Sequence, residues 1–154
     1  MTARAVVRVP RYRCKLVREG TVTYPVAKAV DAAAVASIVA HRLLDDADRE
    51  KIAVLYTDCK LGIVGTEIVA VGGGSDCQVA PADIVRGAVL ARAHGIILAH
   101  NHPSGDPMPS DEDRALTVAV GRAAELLGLT LLDHVIIGPY GKTYSFHKHA
   151  LPLK

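Results

Sequence analysis

A short apolar run at residues 95–99, Gly-Ile-Ile-Leu-Ala, places the strongest limit on the fold. A continuous apolar segment of this length is typical of a strand that is buried on both faces of a sheet. Such a strand needs other elements to cover both of its faces. Half of the 154 residues are apolar, which is ample for one buried core, while the chain is too short for two ordinary domains. We therefore predict one domain built around this central strand.

The other predicted elements alternate between strands and helices. We predict strands over residues 11–18, 51–56, 62–71, 95–99, 129–137 and 142–146. A first helix begins at Asp31, whose side chain is a good N-cap, and its apolar face holds Val35, Ile38, Val39 and Leu43. A second begins at Pro81 and a third at Ser110. The third has its apolar positions at Leu116, Ala119, Val120, Ala123 and Leu127. The predicted fold class is α/β (α+β), a mixed β-sheet flanked by about three helices.

Composition excludes several classes of protein. Eighteen Lys and Arg residues against 16 Asp and Glu residues give a net charge of +2, which does not by itself indicate a nucleic-acid partner. No apolar run approaches the roughly 20 residues of a membrane span. Arginines interrupt the first residues before a signal peptide's apolar core can form, so we expect a cytoplasmic protein. Three cysteines without a CxxC pair indicate neither a disulfide framework nor a four-thiolate zinc site.

The basic residues concentrate near the N-terminus. Arg11, Arg13 and Lys15 alternate with less polar residues, which predicts a strand with one basic face. A solvated edge strand, whose charges discourage aggregation, explains this pattern. A phosphate-binding stripe that contacts DNA is the alternative.

The residues that follow the central strand carry the chemistry. His100 and His102 are separated by one residue, so on a strand they point to the same side. Asp113 lies three residues into the following helix, and a loop that folds back would bring its carboxylate to the same point. Two histidines and one carboxylate leave a position open on zinc, as in catalytic rather than structural sites. This pattern indicates a hydrolase in which the zinc activates water.

Two pairs of residues also have structural interpretations. Ser110 and Asp113 form an S-x-x-D pattern that resembles a capping box and would simply start the helix. Asp133 and His134, on a predicted strand, either orient the site or close a buried polar pair, and we favour the structural role.

The pattern His100-x-His102, seven residues, Ser110, two residues and Asp113 resembles the JAMM motif of the JAB/MPN/Mov34 metalloprotease superfamily. The amino-acid sequence of residues 100–107 resembles the RadC branch of this superfamily, and so do the sequences of residues 131–138 and 12–19. The resemblance implies a single JAB/MPN-like domain over residues 11–147, with a cytidine-deaminase-like layout. It leaves residues 1–10 as an arm and 148–154 as a tail. Longer RadC-type proteins carry a helix–hairpin–helix-like segment before this domain, so we expect a stand-alone catalytic domain here.

The resemblance also implies a mechanism. His100, His102 and Asp113 would hold Zn²⁺, Glu50 would be the general base, and Ser110 would donate a hydrogen bond to the developing oxyanion. Glu67 is the nearby rival for the base. The expected activity is a zinc-dependent metallopeptidase or isopeptidase with a protein or peptide substrate.

The alternative is a DNA-associated repair or mobile-element protein that binds or cleaves nucleic acid. We expect no membrane partner. The sequence does not determine the oligomeric state, and a homodimer is compatible with it.

Overall fold

A mixed five-stranded sheet is the frame of the protein. The structure is a computed structural model that describes residues 13–21, 31, 33–35, 38–39, 48–72 and 79–149. The strands are β1 (Lys51–Thr57), β2 (Ile63–Val71), β3 (Gly95–Asn101), β4 (Thr130–Ile137) and β5 (Thr143–Ser145). Their order in the sheet is β2-β1-β3-β4-β5. Strands β3 and β4 are parallel, and the other neighbours are antiparallel. The prediction of a mixed sheet is confirmed.

Strand β3 is the central strand, as predicted. All seven of its residues are buried. Its register with β1 pairs Ile52 with His100, so the start of β1 lies beside the end of β3. The residues that immediately precede β1 and those that follow β3 therefore meet at one end of the sheet.

Helices cover both faces of the sheet. Helix α1 is described at residues 33–35 and 38–39, α2 is Pro81–Leu90 and α3 is Asp111–Leu126. One face packs Ala53, Leu55, Ile97, Ala99, Val135 and Ile137 against Val35, Ile38 and Val39 of α1. The opposite face packs side chains such as Val54, Ile96 and Leu98 against Ile84, Val85, Ala88, Val120 and Ala124 of α2 and α3. The two sets alternate along each strand because successive side chains point to opposite faces.

The predicted helix starts agree with the structure. The Asp31 carboxylate accepts a hydrogen bond from the Ala34 backbone N–H at 2.8 Å, which confirms the N-cap. Pro81 occupies the first turn of α2, and Ser110 is the N-cap of α3. Leu43, predicted on the apolar face of the first helix, lies outside the described residues.

The buried face of α3 agrees in part with the predicted one. Its buried residues are Asp113, Thr117, Val120, Gly121 and Ala124. Ala119 and Leu127, which were predicted to face the core, are exposed. Val120 is buried as predicted, and Leu116 and Ala123 are partly buried against the core. The inward face also carries two polar residues, Asp113 and Thr117, which form hydrogen bonds there.

The predicted strand over residues 11–18 is wrong for its described part. Residues 13–21 form no strand and are exposed, while Arg11 and Tyr12 lie outside the described residues. The Arg18 side chain donates local hydrogen bonds to the Gly20 carbonyl and the Thr21 hydroxyl. The alternation of Arg13 and Lys15 with less polar residues therefore belongs to a solvated segment, and a period of two alone does not supply a pairing partner.

In the described part of the chain, no helix has the length and apolar content that crossing a bilayer requires.

Candidate metal centre

Three side chains from β3 and α3 converge at the end of the central strand. The Nε2 atoms of His100 and His102 are 2.9 Å apart. Asp113 Oδ1 lies 3.0 Å from His100 Nε2, and its Oδ2 lies 3.1 Å from His102 Nε2. One potential ligand atom from each residue lies within 4.8 Å of the others, and His100 and Asp113 are buried. This arrangement brings together the three residues that the sequence singled out.

The start of helix α3 positions Asp113. Its Oδ2 accepts hydrogen bonds from the Ser110 backbone N–H at 2.7 Å and from the Ser110 hydroxyl at 2.9 Å. In return, the Asp113 backbone N–H donates to Ser110 Oγ at 3.1 Å, which completes a capping box. The cap engages Oδ2 and leaves Oδ1 directed at His100. The capping and site interpretations of Ser110 and Asp113 are therefore compatible, because the cap orients the carboxylate.

Neighbouring groups orient both histidine rings. His102 Nδ1 lies 2.9 Å from the Asp106 carbonyl, which only accepts, so Nδ1 carries the proton and the neutral ring has its lone pair on Nε2. His100 Nδ1 lies 2.8 Å from His134 Nε2. On its other side, His134 Nδ1 lies 2.6 Å from Thr117 Oγ1. His134 is thus in contact with the site, contrary to the purely structural role that we favoured.

Asp133, in contrast, has a structural environment. Its Oδ1 accepts hydrogen bonds from the backbone N–H groups of His134 at 2.7 Å and His147 at 2.9 Å. Its Oδ2 accepts one from the Ser145 hydroxyl at 2.6 Å. This carboxylate connects β4 with β5 and the residues after it.

Contacts within the centre shift the pKa values of His102 and Asp113. The hydrogen bond with Asp113 raises the pKa of His102 above its usual 6.5, although burial opposes this, and the Asp106 carbonyl and the Glu50 charge contribute further. Burial alone would raise the pKa of Asp113, but contact with the imidazoles of His100 and His102 holds that pKa well below its usual range. Burial holds the pKa of His134 well below 6.5, so this ring is neutral. The centre therefore keeps Asp113 ionised beside two imidazoles.

Glu50 lies at the entry to β1, and a residue from between the two histidines holds its backbone. The Asn101 side chain accepts a hydrogen bond from the Lys51 backbone N–H at 3.0 Å. Its amide donates to the Arg49 carbonyl, also at 3.0 Å. The Glu50 carbonyl itself accepts from the Gly72 N–H at 2.6 Å. These bonds hold the chain on both sides of Glu50, whose charge reaches His102.

Sequence reasoning missed the role of Asn101. It predicted only that this side chain points away from the two histidines. The available signal was a fully buried polar position in an otherwise apolar strand, since such a group requires hydrogen-bond partners.

Glu67, the rival for the base, is engaged elsewhere. Its Oε2 accepts a hydrogen bond from the Tyr56 hydroxyl at 2.6 Å. Burial and this contact raise the pKa of Tyr56. Glu67 therefore belongs to a Tyr–Glu pair between β1 and β2, next to Gly87 of α2.

A model of the RadC-like JAB domain family matches residues 27–151. The chain belongs to this family. The predicted family is confirmed, and the centre described above lies within the matched part of the RadC-like JAB domain.

Curated relatives of this JAB domain are UPF0758 proteins. One from Carboxydothermus hydrogenoformans is 50% identical over 90 residues, which are 58% of this chain and 40% of the relative. One from Thermotoga maritima is 44% identical over 101 residues, 66% of this chain and 45% of the relative. One from Aquifex aeolicus is 42% identical over 106 residues, which are 69% of this chain and 46% of the relative. The chain thus spans less than half the length of these relatives.

The donor set of this JAB domain fits a divalent metal ion. Two imidazole nitrogens and a carboxylate are ligands that zinc and several other transition metals accept. When both rings are neutral and present their Nε2 lone pairs 2.9 Å apart beside an ionised Asp113, the three electron-rich groups repel one another. A proton or a metal cation between these atoms relieves the repulsion. Burial makes this compensation more important, because water does not screen the charge there.

Proposed function

We propose that this RadC-like JAB domain is a zinc-dependent hydrolase that cleaves peptide or isopeptide bonds. The observation that carries the proposal is the convergence of His100, His102 and Asp113 at the end of β3. Two histidines and one carboxylate leave a coordination position open, as catalytic zinc sites do. A zinc ion bound in this way supplies a Lewis acid and lowers the pKa of its water ligand to about 7.

Glu50 is the proposed general base. It is partly buried, its backbone is held by Gly72 and by the Asn101 contacts on either side, and its charge acts on His102. A carboxylate at this place accepts a proton from water and returns it to the leaving amine. The engagement of Glu67 by Tyr56 supports the choice of Glu50.

Ser110 is the proposed oxyanion donor. Its hydroxyl donates to Asp113 Oδ2 in this structure, and its backbone N–H donates to the same oxygen. If the hydroxyl turns towards a developing oxyanion, the backbone N–H still holds Asp113. The side chain is therefore able to supply the hydrogen bond without releasing the carboxylate.

The DNA-associated alternative relied in part on a predicted basic strand. The basic strand that this alternative places against DNA is not formed within residues 13–21, the described part of that segment. DNA contact remains a prediction from the sequence.

The test combines zinc content with hydrolysis of peptide and isopeptide substrates. We expect about one zinc per chain by elemental mass spectrometry. Glu50→Gln should keep the zinc and lose turnover, whereas His102→Ala should lose both. Glu67→Gln is the matched control, because its amide oxygen still accepts from Tyr56, and it should keep both.

Three results would contradict the proposal. Turnover retained in Glu50→Gln would exclude Glu50 as the base. Failure of the wild-type protein to bind added zinc would exclude the metal. Salt-dependent binding or cleavage of duplex DNA without peptide hydrolysis would favour the alternative.

A further inference from the structure

We propose that Thr117 and His134 are positioning residues that fix the tautomer of His100 and thereby aim its Nε2 lone pair at the metal. They form a hydrogen-bond chain from His100 Nδ1 through the His134 ring and the Thr117 hydroxyl to the Asp113 carbonyl. The inference rests on the metal binding of the proposed function and is independent of the reaction catalysed.

The orientation of the Thr117 hydroxyl determines which nitrogen of His134 carries a proton. Its single proton has two neighbours, the Asp113 carbonyl and His134 Nδ1, each at 2.6 Å. A carbonyl only accepts, so the hydroxyl donates to Asp113 and accepts from His134. His134 therefore carries a proton on Nδ1.

The buried environment of His134 determines whether its Nε2 atom carries a proton. The side chain is completely buried, and an uncompensated imidazolium is costly in such a place. The ring also stacks on Phe146, with centroids 4.9 Å apart and an interplanar angle of 11°, which holds its orientation. A neutral ring with a proton on Nδ1 has a bare Nε2. This atom accepts from His100 Nδ1 at 2.8 Å.

The contact with His134 in turn fixes the tautomer of His100, a proposed metal ligand. His100 uses its Nδ1 proton to donate to His134, so the neutral ring presents a lone pair on Nε2. That atom faces Asp113 Oδ1 at 3.0 Å and His102 Nε2 at 2.9 Å. Metal-bound histidines usually donate their second N–H to a carboxylate, a carbonyl or water. Here the acceptor is another imidazole, and the chain ends on the backbone of Asp113.

The experiment compares zinc affinity in three threonine variants by competition with a chromogenic chelator. Thr117→Val removes the hydroxyl with little change of shape, and Thr117→Ser restores it. Thr57→Val is the matched control, because Thr57 is also fully buried and its hydroxyl has no partner among the described residues. We expect about a 10- to 100-fold loss of zinc affinity in Thr117→Val, which is typical for loss of an outer partner of a ligand. Thr117→Ser and Thr57→Val should bind like the wild type.

A nitrogen NMR measurement of the histidine rings tests the same inference without any variant. His100 should carry a proton on Nδ1 in both the metal-free and the zinc-loaded wild-type protein, and His134 should carry its only proton on Nδ1. A bare His100 Nδ1, or equal zinc affinity in Thr117→Val and the wild type, would overturn the inference. If the wild type binds no zinc, the proposed function fails and with it the role of His100 towards a metal, whereas the ring protonation pattern still decides whether Thr117 and His134 fix the tautomer of His100.

Discussion

Asp113 and Asp133 each accept a hydrogen bond from a serine hydroxyl, yet their other partners differ in kind. Among the described residues, Asp133 receives N–H and O–H donors from His134, Ser145 and His147. Asp113 receives donors from Ser110, but its two oxygens also lie beside the Nε2 atoms of two histidines. The donors around Asp133 stabilise its carboxylate. The surroundings of Asp113 place electron-rich atoms together and favour a cation.

His134 lies between these two environments. Its backbone N–H donates to Asp133, while its ring contacts His100 and Thr117. The adjacent residues Asp133 and His134 therefore belong to different systems, one structural and one connected with the candidate metal centre.

The largest expected difference between the two aspartates concerns metal binding. Asp113→Asn removes the charge of a proposed ligand, so zinc affinity should fall by more than the roughly 100-fold that loss of an outer partner causes. Asp133→Asn should leave zinc affinity unchanged. A chelator competition titration of both variants measures this difference, and equal losses would remove the distinction.

A second prediction concerns stability. Asp133→Asn weakens hydrogen bonds that connect β4 with β5, so the free energy of unfolding should fall by about 2 kcal/mol. Urea unfolding of metal-free protein measures it. Asp133→Glu is the matched control for charge, because it keeps the carboxylate but displaces it. A stable Asp133→Asn protein would show that these contacts add little.

The smallest expected effects distinguish the two serines. Ser110→Ala removes a helix cap, and the free energy of unfolding should fall by about 1 kcal/mol. Zinc affinity should fall less than about 10-fold, below the usual range for an outer partner, because the Ser110 N–H still holds Asp113. Ser145→Ala should lower stability without changing zinc affinity. Equal zinc affinity in both variants would show that the capping hydroxyl does not orient Asp113.

Much of the architecture was predictable because its determinants are local. The apolar run of β3, the N-caps Asp31 and Ser110, and Pro81 at the start of α2 act through neighbouring residues. The spacing of His100 and His102 places both side chains on one side of a strand for the same reason. The family resemblance added Glu50, whose role remains a proposal.

Other features depended on contacts between distant segments. The sequence by itself indicated the helix starts, the five strands of the sheet and the candidate ligands, since capping, strand alternation and glycine or proline geometry need only nearby residues. It did not reveal that residues 13–18 lack a strand partner, that Asn101 holds the backbone beside Glu50, or that His134 joins His100 to Thr117. Those contacts link residues 17 to 52 positions apart. The pairing of β1 with β3 decides the Asn101 contacts, and the packing of the sheet against α3 decides those of His134. A hydrogen bond requires atoms within about 3 Å, and no local pattern specifies that distance.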